Sequence, residues 1–123
     1  MNLFFVFLGG GLGSLARYGT GVLSKRIFDI NFPYGTFISN ITSSFILGML
    51  VGWLALRATH QEPYRLIIAV GFCGGFSTFS SFTLESFEMI RSGNYVMASV
   101  NIFGSILVCI AALWAGALLA RYF

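Results

Sequence analysis

The sequence contains very little charge. Only 9% of its 123 residues are Asp, Glu, Lys or Arg, whereas 57% are hydrophobic; a soluble domain has about 25% charged residues. A soluble fold of this length leaves a large fraction of its surface in water, so it has no place to hide so much apolar area. The shortage of charge therefore excludes an ordinary soluble domain and predicts an integral membrane protein in contact with lipid.

The sequence also contains few cysteines, a single histidine and a small net charge. The two cysteines, Cys73 and Cys109, lie in apolar runs and have neither zinc-type spacing nor a pattern of histidine partners, so we interpret them as small apolar residues and infer no redox compartment from them. A net charge of +3 is small and dispersed. It predicts no nucleic-acid partner, and a modest excess of this kind is common in the loops of membrane proteins.

Long uncharged runs, by contrast, fill most of the chain. A helix needs about 20 apolar residues to cross the hydrocarbon core of a bilayer. The predicted spans cover residues 3–23, 34–56, 66–90 and 95–120 approximately. Pro33 and Pro63 lie near span boundaries, and the remaining loops are too short for a soluble domain. We therefore predict one all-α domain of four transmembrane helices over residues 1–123, located in the cell inner (plasma) membrane, and not an enzyme.

The basic residues of the loops are evenly divided between the two sides of the membrane. The rule that cytoplasmic loops are richer in Lys and Arg therefore assigns no orientation. Either the chain has too few charges for the rule, or copies insert both ways and pair antiparallel. The even balance favours the second interpretation, as does the thin wall that four helices would form around a pore. Lys25, Arg26 and Arg91 share one side, and Arg57, Arg65 and Arg121 share the other.

A glycine motif in the first span matches a dinucleotide-binding pattern, but its context does not. Residues 11–16 read G-x-G-x-x-A, and a Rossmann unit would require a strand before and after the helix. Here a membrane span follows. Gly9 with Gly13, and Gly48 with Gly52, instead have the four-residue spacing of small residues that lets membrane helices pack closely.

Several polar side chains fall inside the spans, where such groups face the protein interior or water. Arg17 either extends to the membrane surface or places a positive charge at a pore mouth. Asn40, and the pair Asn101 and Ser105 on one helix face, either bond helices together or line a pathway. Glu85 lies near the end of the third span, so no carboxylate is predicted near the midplane.

The third span has the composition of an interrupted helix. Gly74 and Gly75 are followed by the hydroxyl-rich segment 77–81, which is a poor helix interior at the centre of a span. A helix broken at membrane depth persists only where protein or water covers its backbone. Its free carbonyls attract cations and its free N–H groups attract anions. Phe79 and Phe82 share a helix face and either pack or present electropositive ring edges to an anion.

This stretch, Gly71 to Phe82, closely resembles the signature of the Fluc (CrcB) fluoride channel family. The similarity extends over the whole chain and includes residues 13–17, 35–40 and 93–95. The resemblance implies an antiparallel, dual-topology homodimer with two narrow pores. It also implies a fluoride-selective channel that exports cytoplasmic fluoride by passive electrodiffusion.

The resemblance further implies a role for individual residues. Phe79 and Phe82 match the paired pore phenylalanines, whereas Asn101 stands where some relatives have a tyrosine. A structural sodium ion is implied at the dimer centre, held by the main-chain carbonyls of Gly74 and Ser77. The implied fluoride pathway consists of Arg17, Asn40, Phe79, Ser80, Ser81, Phe82, Glu85, Asn101 and Ser105.

Two other classes of membrane protein are compatible with four short spans. A small multidrug-type, proton-coupled transporter requires a carboxylate in its first span, and this first span has none. A non-conducting membrane scaffold would pack its helices without interrupting one of them. Both alternatives are therefore weaker than the channel, and measurements of ion flux distinguish all three.

Overall fold

A computed structural model describes residues 1–28, 32–55 and 62–122, and the regular structure of these residues is entirely helical. The third helix, α3 (residues 62–76), consists of three consecutive pieces, of which the central one has π-helical geometry. Leu56, the predicted end of the second span, and Arg57 lie outside the described residues. The helices are α1 Asn2–Ile27, α2 Tyr34–Ala55, α3 (Glu62–Tyr64, Arg65–Cys73 and Gly74–Phe76), α4 Phe79–Arg91 and α5 Tyr95–Leu119, with a 3₁₀ turn at Ala120–Tyr122.

Local sequence explains the helix boundaries. Helix α2 begins directly after Pro33, which has no N–H group to donate to a preceding helix turn. Between α4 and α5, Gly93 has a φ of 85°, a left-handed conformation that glycine adopts without steric cost. Asn94 then caps α5, because its Oδ1 accepts a hydrogen bond from the Met97 N–H at 3.4 Å. Residues 92–94 therefore form a short turn between α4 and α5.

Three helical segments of the described chain are long and apolar enough to cross a membrane. They are Tyr34–Ala55, Arg65–Arg91 and Tyr95–Tyr122, with mean hydropathies of 1.6, 1.5 and 2.4. Helix α1 has 26 residues, enough to span about 30 Å of hydrocarbon. Its glycines and charged residues lower its hydropathy, so the first of the four spans stays a prediction.

The distribution of polar and apolar side chains is the reverse of that in a soluble protein. Among the described residues, the largest fully buried side chains are Asn101, Ser39 and Ser43. Large apolar side chains such as Phe7 and Trp114 are exposed by 80% and 67%. Buried polar groups hold membrane helices together while apolar groups face lipid, so this pattern supports a membrane environment.

Close helix pairs form where the sequence places small residues. Helices α1 and α3 approach so closely that a methyl group at Gly9 or Gly13 would collide with the carbonyl oxygen of Ile67 or Phe72. A methyl group at Gly75 would lie 2.5 Å from the Gly10 carbonyl oxygen. The predicted packing role of Gly9 and Gly13 is confirmed, and this contact holds α1 along the third helix.

Helices α2 and α5 form a second close pair. A methyl group at Gly48 would collide with the Leu113 carbonyl oxygen, and one at Gly52 would lie 2.6 Å from the Ala117 carbonyl oxygen. Gly116 makes the reciprocal contact from α5. The predicted packing role of Gly48 and Gly52 is therefore also confirmed. The two helix pairs together enclose the polar residues described below.

Candidate functional site

The helix stops and restarts between α3 and α4. Ser77 (φ −80°, ψ 156°) and Thr78 (φ −149°, ψ 123°) have extended backbone between the end of α3 at Phe76 and the start of α4 at Phe79. The last carbonyls of α3 and the first N–H groups of α4 therefore lack intrahelical partners. We refer to Ser77 and Thr78 as the interruption.

Asn40 on α2 replaces the backbone partners that Thr78 loses at the interruption. The Thr78 N–H donates to Asn40 Oδ1 at 2.8 Å, and Asn40 Nδ2 donates to the Thr78 carbonyl oxygen at 3.3 Å. One amide side chain thus satisfies both main-chain groups of one residue. An unpaired buried peptide group costs about 1–3 kcal/mol, so this reciprocal pair stabilises the extended conformation.

The Thr78 side chain starts α4. Its Oγ1 accepts a hydrogen bond from the Ser81 N–H at 3.1 Å and lies 3.2 Å from Ser80 Oγ. This is the N-cap arrangement, in which a hydroxyl oxygen satisfies one of the free N–H groups of a helix start. Ser81, a predicted pathway residue, contributes to it through its main chain.

The carbonyls at the end of α3 are held by a second set of donors. The Cys73 carbonyl oxygen accepts from the Ser77 N–H at 2.9 Å and from the hydroxyls of Ser77 and Ser43 at 2.6 and 3.3 Å. Arg17 Nε donates to the Gly75 carbonyl oxygen at 3.1 Å. A cation is stabilised at the negative end of a helix. Arg17 therefore contacts the end of α3, two residues before the interruption.

Two cavities meet at the interruption and share Ser77, Thr78 and Phe79. The first has a volume of about 250 Å³ and the second about 300 Å³. We call them the phenylalanine cavity and the arginine cavity. The phenylalanine cavity is lined by Asn40, Ser44, Ser77, Thr78, Phe79, Phe82, Ser105, Ile106 and Cys109. The arginine cavity is lined by Ser14, Arg17, Gly74, Gly75, Ser77, Thr78, Phe79 and Ser80.

The two predicted phenylalanines lie side by side at the start of α4. Their ring centroids are 5.9 Å apart and the rings are tilted by 45°, so the spacing of three residues does place them on one face. Phe79 is 78% exposed in the single chain. Because this large ring is exposed beside polar groups, lipid or another protein surface can cover it.

Asn101 lies away from both cavities, in a buried polar network. It is 1% exposed, and its Nδ2 donates to Ser86 Oγ on α4 at 2.8 Å. Its Oδ1 accepts from Ser105 Oγ at 3.4 Å, which confirms that these two residues share one face of α5. Asn101 therefore joins α4 to α5 and positions Ser105, which lines the phenylalanine cavity.

Glu85 is separated from the interruption and lines two further cavities. Their volumes are about 270 and 370 Å³. Its Oε1 atom is buried and has no hydrogen-bond partner among the described residues, while the carboxylate interacts with the Thr36 hydroxyl. The structure thus groups Arg17, Asn40, Ser80 and the two phenylalanines around the interruption, and places Asn101 and Glu85 elsewhere.

Sequence reasoning assigned no separate role to two residues that organise the site. Thr78 is one of the two residues of the interruption and the N-cap of α4. The sequence does indicate the cap, because a threonine directly before a helix start is a typical N-cap. Ser86 Oγ accepts a hydrogen bond from the Asn101 amide, and nothing in the local sequence around Ser86 indicates this contact. Its role depends on the packing of α4 against α5.

Comparison with known proteins agrees with this arrangement. The family described as "CrcB-like protein, Camphor Resistance (CrcB)" matches residues 4–117. The chain belongs to the CrcB family. This family assignment covers nearly the whole chain, from α1 to the end of α5. It identifies a multi-pass protein of the plasma membrane and not an enzyme.

Curated relatives of the CrcB chain share its full length. A "Fluoride-specific ion channel FluC" of Caulobacter sp. (strain K31) is 47% identical over 121 residues, which cover 98% of this chain and 94% of that protein. A protein of the same name from Coxiella burnetii (strain CbuK_Q154) is 40% identical, covering 98% of each chain. "Fluoride-specific ion channel FluC 2" of Nitrobacter hamburgensis is 36% identical over 122 residues.

Proposed function

We propose that this chain forms a fluoride-selective channel through which cytoplasmic fluoride leaves by passive electrodiffusion. The observation that carries the proposal is full-length similarity, up to 47% identity, to relatives named as fluoride-specific ion channels. The interruption between α3 and α4 supports it independently, because free N–H groups, hydroxyls and aromatic rings converge there on two cavities.

The start of α4 is suited to a small anion. The first N–H groups of a helix and its dipole favour negative charge, and those of α4 belong to Phe79 and Ser80. The edges of the Phe79 and Phe82 rings are electropositive. No Asp or Glu is among the described residues that line the phenylalanine or arginine cavity, so no carboxylate there repels an anion.

The roles proposed for the individual residues follow from their positions. Phe79, Phe82 and Ser105 contact the anion in the phenylalanine cavity, and Ser80 does so in the arginine cavity. Arg17 attracts anions toward the interruption. Asn40 keeps Thr78 extended, and Ser81 fixes the start of α4. The remaining proposed pathway residues are Glu85, toward one end of the path, and Asn101, which acts through Ser105.

We propose further that all four predicted spans, including α1, cross the membrane and that two copies pair in opposite orientations. The interruption then lies at mid-membrane, where its polar groups require a cover of protein or water. The 78% exposure of Phe79 supports a second copy as that cover. The balanced loop charges support insertion in both orientations, and lipid contacts the remaining apolar surface.

A structural sodium ion is proposed at the end of α3. Carbonyl oxygens at the ends of unwound helices are typical sodium ligands in membrane proteins. Gly74 and Ser77 both line the arginine cavity, and space is open around Gly74, where an added methyl group would meet only the Ala69 carbonyl oxygen at 4.0 Å. The donor type fits the ion. Because one chain supplies only these two proposed carbonyls, the ion would also link two copies.

Reconstitution in liposomes tests the proposed function. Vesicles loaded with potassium fluoride or potassium chloride should release fluoride, but not chloride, when valinomycin allows potassium to follow. An ion-selective electrode measures each release. Chloride release at a similar rate, exchange of protons for a cationic drug, or no flux above that of protein-free vesicles would contradict a fluoride-selective channel.

A further inference from the structure

Glu85 lines two cavities that differ in charge. The cavity of about 270 Å³ is lined by Lys25, Thr36 and Glu85 together with glycine, serine and aromatic residues. The cavity of about 370 Å³ is lined by Glu85 and Glu88 with uncharged residues. We call the first the lysine cavity. Among the described residues, the lining of the lysine cavity adds the positive charge of Lys25 to Glu85, whereas the lining of the other cavity adds the carboxylate of Glu88.

The lysine cavity continues the face that lines the phenylalanine cavity. On α2, Thr36 in the lysine cavity lies four residues before Asn40 in the phenylalanine cavity. On α4, Glu85 lies three residues after Phe82. Residues three and four apart lie one above the other on a helix face. The two cavities therefore follow each other at a distance of one helical turn, along the faces of α2 and α4.

An anion that moves from the phenylalanine cavity toward this end of the molecule must pass Glu85. A carboxylate repels an anion unless a positive charge offsets it. Lys25 lines the same cavity as Glu85, whereas the alternative route adds the carboxylate of Glu88. Electrostatics therefore favours the route through the lysine cavity.

We infer that the lysine cavity is the end of the fluoride pathway at the α1–α2 and α4–α5 connections, and that Lys25 is a positioning residue for the permeating anion. Lys25 offsets the charge of Glu85 and raises the local concentration of fluoride at the mouth. The inference rests on the proposed function. It adds a residue from the end of α1 to a pathway otherwise assigned to α2, α4, α5 and Arg17.

Arg26 provides a matched control. Lys25 and Arg26 are adjacent, exposed and both in the last turn of α1. Replacing either one by glutamine removes one positive charge from the same loop and the same helix terminus. The two variants therefore change insertion orientation and helix stability alike. Only Lys25 lines the lysine cavity, and Arg26 is not among the described residues that line any of the cavities discussed above.

The experiment compares initial rates of fluoride efflux from liposomes at two ionic strengths set with potassium gluconate. The screening length is about 30 Å at 0.01 M and about 3 Å at 1 M. At 0.01 M we expect Lys25→Gln to lower the rate about three- to tenfold, since focused charge raises the local ion concentration by about tenfold or more. At 1 M the deficit should fall below about twofold. Lys25→Arg should retain the rate, and Arg26→Gln should stay within about twofold of the unmodified chain at both salts.

Equal rates for Lys25→Gln and Arg26→Gln, beside an active unmodified chain, would overturn the inference and leave the proposed function standing. A deficit in Lys25→Gln that is independent of salt would also overturn it, because a charge effect must be screened. Absence of fluoride efflux from the unmodified chain would overturn the proposed function together with the inference.

Discussion

Thr78 uses each of its polar groups at the interruption. Its N–H and carbonyl pair with the Asn40 amide, and its hydroxyl oxygen accepts from the Ser81 N–H. The residue is 9% exposed, so each of these bonds replaces one that water cannot provide. The phenylalanine rings begin at the next residue, and their placement therefore depends on how firmly Thr78 is held.

The phenylalanine pair gives a prediction at the scale of single residues. Replacement of Phe79 or Phe82 by isoleucine keeps an apolar side chain but removes the ring edge that we propose faces the anion. We expect each variant to lower fluoride efflux about fivefold or more, equivalent to the loss of an aromatic interaction of about 1 kcal/mol. Efflux from liposomes measures the rate, and size-exclusion chromatography checks that the oligomeric state is unchanged.

Phe103→Ile is the control for this pair. Phe103 is 65% exposed on α5 and is not among the described residues that line the phenylalanine cavity. Its replacement should leave the efflux rate unaltered. Normal efflux from both Phe79→Ile and Phe82→Ile would remove the rings from the pathway.

At the scale of helices, the fold consists of two close pairs joined through polar side chains. Helix α1 packs against α3 through glycines, and α2 packs against α5 in the same way. Asn40 then connects α2 to the interruption, and Arg17 connects α1 to the end of α3. Van der Waals contact between small residues needs little hydrophobic driving force, whereas the polar links fix which residues face the cavities.

The link between α2 and the interruption can be tested through Asn40. In Asn40→Ala the N–H and carbonyl of Thr78 lose their partners, which should lower the free energy of unfolding by about 1–3 kcal/mol. The midpoint of thermal unfolding in detergent should fall, and fluoride efflux should fall with it. Asn40→Asp keeps an acceptor for the Thr78 N–H, so it should be more stable than Asn40→Ala while its added negative charge still lowers fluoride efflux.

Thr42→Val serves as the comparison on the same helix. Thr42 is two positions from Asn40 and so points in a different direction. It should change neither the unfolding midpoint nor the efflux rate by an amount similar to Asn40→Ala. An Asn40→Ala protein as stable as the unmodified chain would contradict the structural role assigned to this amide.

At the scale of the whole molecule, a single chain leaves functional groups on its outer surface. Phe79 is largely exposed, and Gly74 is exposed at the end of α3. The polar interior holds Asn101, Ser39 and Ser43, whereas large apolar side chains such as Phe7 and Trp114 are exposed. Lipid satisfies the apolar exterior but not the first N–H groups of α4, those of Phe79 and Ser80, which is the physical reason to expect a second copy there.

Lys25 offers a direct measurement of orientation, because it is the single lysine of the chain. In sealed inner-membrane vesicles, an impermeant amine reagent should modify about half of the Lys25 side chains if copies insert both ways. Peptide mass spectrometry separates this product from the modified amino terminus. After detergent opens the vesicles, modification should approach completion. Labelling of all or none of the Lys25 side chains before detergent would contradict dual topology.

Composition and periodicity alone predicted the helical class and the approximate helices. Gly74, Gly75 and the hydroxyl segment that follows are poor helix formers in any environment, and the extended backbone of Ser77 and Thr78 falls in this stretch. The glycine spacings in α1 and α2 were sufficient to predict close packing. The fluoride roles of individual side chains came from the family resemblance, and they remain predictions about flux.

Only the tertiary structure decided which partner each polar group has. The sequence allowed Asn40 to bond any neighbouring helix, but packing of α2 beside the interruption directs both ends of its amide to Thr78. It left open whether Arg17 extends to the membrane surface, and the contact between α1 and α3 brings it to the Gly75 carbonyl. The π-helical geometry of Arg65–Cys73 and the approach of Lys25 to the Glu85 cavity had no local signal. Secondary structure follows from neighbours along the chain, whereas the hydrogen bonds at this site join residues up to 58 positions apart, and only the packed helices bring them together.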